Sequence, residues 1–206
     1  MIKISFSGFS GSGKTALLNE VKKILSLKYK VEYCDEANDK NPFDESQKSS
    51  FVSQFFCFSS QINEENIRGM AMMDFLLCDQ SVLDYWVYWN SFIRDMRDIK
   101  NIEMAPYLRE KNTILETMYR FWIKSYDLIF WIRVDLKELG KRELPYEWNT
   151  MQQNDIKRME ELYQETVIDS DVKIIEIWNN KSIDESAHEI IKHIYSYKDK
   201  ETAADS

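Results

Sequence analysis

The stretch ISFSGFSGSGKT, residues 4–15, decides the fold, because it places three of the chain's five glycines within six residues. A short β-rich run precedes the glycines, and from Lys14 onward apolar residues recur at helical spacing. A strand that ends in clustered glycines and passes directly into a helix predicts a loop whose backbone turns toward a ligand.

Residues 8–15 match the pattern G-x-x-x-x-G-K-[ST]. In such a loop, backbone N–H groups point at phosphate oxygens, a lysine lies near the outer phosphates and a hydroxyl can bind Mg²⁺. The N-terminal dipole of the following helix favours the same anion. We therefore expect a nucleoside triphosphate site, with an ordinary flexible turn as the alternative. The expected ligand-binding residues are Gly8, Ser10, Gly11, Ser12, Gly13, Lys14 and Thr15.

The rest of the chain alternates β-rich runs with helical patterns, which indicates a parallel sheet covered on both faces. Expected strands lie at about 2–7, 30–36, 73–79, 126–135 and 172–178. Expected helices lie at about 14–25, 46–69, 81–98, 106–125, 149–168 and 182–197. The prediction is an α/β protein with three layers, α/β/α, and a five-stranded parallel sheet. One domain over 1–198, with a small lid and a disordered tail at 199–206, fits 206 residues.

Charge and composition narrow the function classes. A net charge of −8 and a pI near 5.0 argue against an extended nucleic-acid face but allow one small nucleotide. Three cysteines in apolar runs favour buried thiols in a reducing compartment. The N-terminus lacks a signal-peptide pattern, and no run of 18 apolar residues exists. We therefore expect a cytoplasmic protein that does not span a membrane.

Asp79 ends the apolar run 73–79. A carboxylate at the end of a buried strand can hold Mg²⁺ together with Thr15. It can also cap the helix that follows, and the two roles are compatible.

Four short segments together resemble the P-loop nucleoside and nucleotide kinases, in particular the deoxynucleoside kinase-like and thymidylate kinase-like branch. They are the loop at 8–15, CDE at 34–36, SFVSQFFCFSSQI at 50–62 and DQSVLD at 79–84. The resemblance implies the P-loop fold, ATP and Mg²⁺. It also implies transfer of the γ-phosphate to a (deoxy)nucleoside or its monophosphate.

The resemblance also implies residue roles. Glu36 would take the proton of the acceptor hydroxyl, with Asp35 nearly as good a candidate, although both could be a solvated strand end. Gln54 would read the base and Phe55 or Phe58 would stack on it, although phenylalanines at helical spacing are more often core. Lys14, Glu36, Asp79 and Arg142 are the expected catalytic residues.

Gln80 stands where the family's acidic-Arg-Ser motif has its arginine, so a positive charge is missing beside the acceptor. We still place Gln80 among the substrate-binding residues. The segment 136–148 matches a lid in position, and its Lys141 and Arg142 would close over the phosphates; a plain charged loop is the alternative.

Several alternatives stay open at this point. The acceptor could be a modified base or a polynucleotide end. The chain could also be a regulatory protein that binds nucleotide without efficient transfer, whereas an oligomeric motor ATPase is disfavoured by the short chain. The aromatic run LDYWVYW at 83–89 indicates core packing or a homodimer contact rather than ligand stacking.

Overall fold

Five short strands form one parallel sheet in the order β2-β3-β1-β4-β5. The computed structural model describes residues 1–43, 50–100, 106–142, 153–168 and 172–204. The strands are β1 (Ile2–Ser7), β2 (Val31–Cys34), β3 (Phe75–Asp79), β4 (Leu128–Arg133) and β5 (Ile174–Trp178). The predicted five-stranded parallel sheet is confirmed; β1 has its predicted bounds, and the other four strands are shorter than their predicted runs.

Helices cover both faces of the sheet, which confirms the predicted α/β/α layers. They are α1 (Lys14–Ser26), α2 (Phe51–Gly69), α3 (Val82–Lys100), α4 (Pro106–Trp122), the single turn α5 (Leu136–Leu139), α6 (Gln153–Ile168) and α7 (Ile183–Ala204). The side chains of α1 and α7 pack on one face in one core cluster. Side chains of α2, α3, α4 and α6 pack on the other face in a second. Among the described helices, none is both long and apolar enough to cross a membrane.

Strand order explains why the glycine stretch lies at the centre of the sheet. β1 is buried along its whole length and pairs with β3 on one side and β4 on the other. Strands buried on both faces are nearly continuous apolar runs, as β3 is. The loop after β1 therefore opens at the carboxyl edge of the sheet between the ends of β3 and β4, where open α/β sheets bind their ligands.

A buried ion pair fixes α2 against β1. The Lys3 ammonium contacts the Glu65 carboxylate, whose exposed fraction is 0%. The hydroxyl of Tyr126 donates to Glu65 at 2.5 Å, and the indole N–H of Trp122 donates at 2.6 Å. Because buried charges need several partners, this network holds α2 in one position relative to the sheet.

The last helix differs most from its expected length. It continues to Ala204, so the predicted disorder of 199–206 is not seen in residues 199–204. In this region the Tyr197 hydroxyl, which has one proton to donate, lies 2.9 Å from a carboxylate oxygen of Glu201 and 3.2 Å from one of Asp127. Of the predicted helices 46–69 and 149–168, residues 46–49 and 149–152 lie outside the described residues. All three cysteines are buried thiols.

Candidate active site

The glycines of the loop have the backbone conformations that require glycine. Gly8, Gly11 and Gly13 have φ angles of 144°, 81° and 93°. A Cβ at Gly8 would overlap the carbonyl oxygen of Ile132, and one at Gly13 would overlap the side-chain amide of Asn179. The clustering of glycine seen in the sequence is therefore explained by left-handed turns and close packing.

Lys14 is buried inside the loop that it follows. Its ammonium donates to the carbonyl oxygen of Gly8 at 2.9 Å and to that of Phe9 at 3.3 Å. Helix α1 begins at Lys14, so its first N–H groups face the same space as the ammonium. The arrangement gives one concentrated positive site, which suits a phosphate chain.

Thr15 and Asp79 meet across the carboxyl ends of β1 and β3. The Thr15 hydroxyl donates to Asp79 Oδ2 at 2.5 Å. Burial raises the pKa of the Asp79 carboxyl, while the hydrogen bond from Thr15 and the charge of Lys14 oppose that shift. The other oxygen, Oδ1, is buried without a partner among the described residues. A hydroxyl and a carboxylate with an unfilled oxygen are hard ligands and fit Mg²⁺.

Glu36 lies in the same cavity as the loop. The cavity has a volume of about 520 Å³. Burial raises the pKa of Glu36 to about 7, the charge of Lys14 opposes the shift, and Asp79, Asp39 and Asp84 add to it. A carboxyl that titrates near neutral pH beside a phosphate loop can accept a proton there. Asp35, the competing candidate, is exposed.

Arg142 contacts the loop from the lid side. Its guanidinium donates to the carbonyl oxygens of Gly11 at 2.9 Å and Asn179 at 2.6 Å. Burial lowers the pKa of this guanidinium. Arg142 thus binds a loop carbonyl and lines the same cavity as Glu36, whereas Lys141 is exposed and pairs with Glu138 at 2.7 Å. Residues 143–148 of the predicted lid lie outside the described residues.

Asn179 follows β5, and sequence analysis gave it no role. Its side-chain amide donates to the carbonyl oxygen of Ser12 at 2.8 Å, and its backbone N–H donates to that of Arg133 at 2.8 Å. Lys181 and Ile183 line the same cavity. Asparagine is common in turns after strands, so its presence in the sequence does not indicate a role. Only its contact with Ser12, 167 residues away in sequence, shows that Asn179 supports the loop.

The predicted base-binding residues of α2 are placed differently from one another. Phe58 is fully buried in the core beside Tyr85, with ring centroids 5.9 Å apart. Gln54 is buried, whereas Phe55 is 41% exposed and packs on Phe51. The described residues that line the cavity around Glu36 do not include Gln54, Phe55 or Phe58.

Gln80 has a backbone conformation that glutamine seldom adopts. Its φ is 74°, the left-handed region, and its side chain is 3% exposed. Its backbone N–H donates to the carbonyl oxygen of Phe6 at 3.0 Å. The turn thus directs the chain from β3 toward α3 directly beside Asp79.

Comparison with known proteins supports the assignment of the fold. A family model described as an AAA domain matches residues 3–185. The chain belongs to this AAA domain family. No curated protein matches the sequence.

Among solved structures, this AAA domain chain is similar to deoxyadenosine kinase from M. mycoides. With bound dATP, that structure has a TM-score of 0.70 at 16% identity, covering 94% of this chain and 100% of the other. Two further structures, one with bound dCTP and one with the products dCMP and dCDP, give TM-scores of 0.68 and 0.66. Both are 16% identical and cover 95% of this chain and 100% of the other. The expected P-loop fold is therefore confirmed.

Proposed function

We propose that this chain is an ATP-dependent phosphotransferase that moves the γ-phosphate of ATP to a (deoxy)nucleoside or a (deoxy)nucleoside monophosphate. The observation that carries the proposal is the position of Glu36, whose carboxyl lines the same cavity as the phosphate loop. A loop that only held a nucleotide would need no titrating carboxyl on its open side. The likeness in fold to deoxyadenosine kinase supports the same reaction class.

In the proposed reaction, residues of this chain act at both ends of the transfer. The N–H groups of the loop and of the start of α1 hold the triphosphate, and Lys14 turns from the carbonyls of Gly8 and Phe9 to its outer oxygens. The acceptor oxygen attacks the γ-phosphorus while the bond to the β–γ bridging oxygen breaks, and ADP leaves. For a hydroxyl acceptor, Glu36 takes the proton.

Mg²⁺ fits the pair Thr15 and Asp79, whose hydroxyl and unfilled carboxylate oxygen would hold it. When bound, it neutralises charge on the phosphate oxygens. The residues of this chain then position the two substrates and exclude water from between them.

Acceptor and lid roles belong to the same proposal. Gln54 and Phe55 would contact the base, with Phe58 supporting α2 from the core. Asp35 and Gln80 would lie at the edge of the acceptor site. Arg142 and Lys141 would close over the phosphates when the lid moves. The reaction and its substrates suit a cytoplasmic protein.

One observation favours a second function, a nucleotide-binding regulator without efficient transfer. Gln80 contributes no charge beside Asp79, and both are buried. A transferase without a cation at that position has less to neutralise the developing charge on the transferred group.

A transfer screen tests the proposal. Labelled ATP with Mg²⁺ is incubated with each deoxynucleoside, each ribonucleoside and their 5′-monophosphates, and the products are separated. We expect label on at least one acceptor, and its loss in Glu36→Gln. Glu32→Gln, on the strand β2 that precedes Glu36 and outside the cavity, is the matched control. Binding of ATP without labelling of any acceptor would overturn the transferase and favour the regulator.

A further inference from the structure

Asp84 is a fully buried carboxylate in the first turn of α3. One of its oxygens, Oδ2, accepts the backbone N–H of Ser81 at 2.8 Å and its hydroxyl at 3.3 Å. The Ser81 hydroxyl in turn accepts the N–H of Leu83 at 3.1 Å. This reciprocal pattern caps the start of the helix, and it uses only one carboxylate oxygen.

The second oxygen, Oδ1, serves another part of the molecule. It accepts the backbone N–H of Gly8 at 2.8 Å and the hydroxyl of Tyr163 at 2.8 Å. These donors lie 76 and 79 residues away from Asp84 in sequence. Neither donor is needed to cap the helix. The bond from Gly8 therefore links α3 to the first residue of the phosphate loop.

The Gly8 amide depends on this acceptor. Gly8 follows the last residue of β1 and has a φ of 144°. Its N–H is buried, and a buried N–H without an acceptor is costly, whereas a carboxylate is a strong acceptor. The bond to Asp84 therefore constrains the direction of the first peptide in the loop.

Tyr163 holds Asp84 from the opposite side. Its side chain is fully buried on α6, and its ring stacks on Trp131 of β4 with centroids 6.2 Å apart. Burial raises the pKa of Tyr163, and the charge of Asp84 raises it further, so the hydroxyl stays a donor. Helix α6 is thereby connected through one carboxylate oxygen to the phosphate loop.

We propose that Asp84 is a positioning residue for the nucleotide site: its Oδ1 fixes the Gly8 peptide so that the loop is shaped for phosphate before ATP arrives, and Tyr163 fixes Asp84. The proposal rests on the proposed function for its kinetic consequence, but nucleotide affinity tests it without any acceptor. Asp84 itself contacts no substrate in this role.

The experiment measures the Kd of Mg²⁺–ATP by calorimetric titration, together with the thermal midpoint, for wild type, Asp84→Asn, Tyr163→Phe and the double variant. We expect Asp84→Asn to raise Kd about tenfold, the equivalent of one charge-assisted hydrogen bond. Tyr163→Phe, which keeps the carboxylate and the helix cap, should raise Kd by about threefold. The Kd of the double variant should be no higher than that of Asp84→Asn, because both substitutions act through the same carboxylate oxygen.

Leu115→Ala supplies the matched control, since it removes a fully buried side chain of α4 outside the nucleotide cavity. It should lower the thermal midpoint at least as much as Asp84→Asn and leave Kd unchanged. A Kd within twofold of wild type in both Asp84→Asn and Tyr163→Phe would reduce Asp84 to a helix cap and overturn the proposal. If Asp84→Asn fails to fold, the Kd of Tyr163→Phe decides alone.

The kinetic arm separates this proposal from the transferase. With an accepted acceptor, Asp84→Asn should raise KM for ATP and leave KM for the acceptor unchanged. A wild-type chain that binds ATP but labels no acceptor would overturn the proposed function, while the affinity comparison would still test Asp84.

Discussion

The proposed donor and acceptor halves of the active site are built differently. The phosphate loop is held at both ends, by Asp84 at Gly8 and by Asn179 at Ser12. On the acceptor side, Glu36 faces the cavity, whereas Gln54 and Phe58 lie on the buried face of α2. A phosphate chain is the same in every nucleotide and can be matched by fixed backbone, but an acceptor must be read by side chains. If the proposed function holds, we therefore expect substrate specificity to depend on the side chains of the acceptor half.

The largest effect should come from the donor half. Lys14→Met keeps the length of the side chain but removes its charge, so kcat/KM for transfer should fall by about three orders of magnitude. The fold should survive, because the ammonium bonds only carbonyls of the loop. Steady-state kinetics and circular dichroism measure the two outcomes. Lys22→Met, on the same helix over the ring of Tyr33, is the control; activity that survived in Lys14→Met would contradict the phosphate-loop assignment.

The next effect tests the acceptor half. Glu36→Gln should lower transfer to a hydroxyl acceptor by about a hundredfold or more, because no base remains for its proton. In the wild type, burial raises the pKa of Glu36 to about 7, so the carboxylate is ionised only above that pH. Transfer should therefore rise with pH, be half-maximal at about pH 7 and level off about one pH unit above it, and this dependence should disappear in Glu36→Gln. A pH profile that is the same in both proteins would exclude Glu36 as the base.

The same pKa has a consequence for stability. The folded state holds the Glu36 proton more tightly than the unfolded state, whose pKa is near 4.5. Wild type should lose stability relative to Glu36→Gln as the pH rises from 4.5 to 7, by on the order of 2 kcal/mol. Urea unfolding of both proteins at pH 5 and pH 8 measures this difference.

A smaller effect is expected at the junction of the halves. Asp79→Asn removes a charge from the predicted Mg²⁺ site, so the Mg²⁺ concentration for half-maximal transfer should rise about tenfold. Affinity for ATP in the presence of EDTA should stay close to wild type, which separates metal binding from nucleotide binding. An unchanged Mg²⁺ requirement would show that Asp79 acts only as the partner of Thr15.

The smallest effect is expected at Gln80. Gln80→Arg adds a positive charge close in sequence to Asp79 and Asp84, and these two carboxylates can compensate the cost of burying the arginine. The substitution should raise kcat/KM for transfer by about threefold to tenfold. Gln80→Met matches the length without the charge and should not raise it. Equal rates in the two variants would mean that the missing charge does not limit transfer.

The sequence predicts the donor half well because it depends on local rules. Left-handed glycines, a lysine at a helix start and an apolar strand before Asp79 each leave a short pattern. The layers of the fold follow from the alternation of strand and helix patterns.

The contacts that support the site could not be predicted in the same way. Asp84 occurs in the quoted motif DQSVLD, but its partners Gly8 and Tyr163 come from distant parts of the chain. The sequence predicts Arg142 as a basic residue of the lid, but only the folded structure shows that its guanidinium donates to a carbonyl of the loop. Helical spacing likewise places Phe58 on one side of α2 without revealing that this side is core.

The bonds of Arg142 and Asn179 to the loop carbonyls have a thermodynamic consequence. A loop that already has one conformation loses little conformational entropy when a ligand arrives. Nucleotide binding to this chain should therefore be accompanied by a small entropic cost at the loop. The loop loses its conformational entropy during folding instead, when Asn179 comes into contact with Ser12, 167 residues away in sequence.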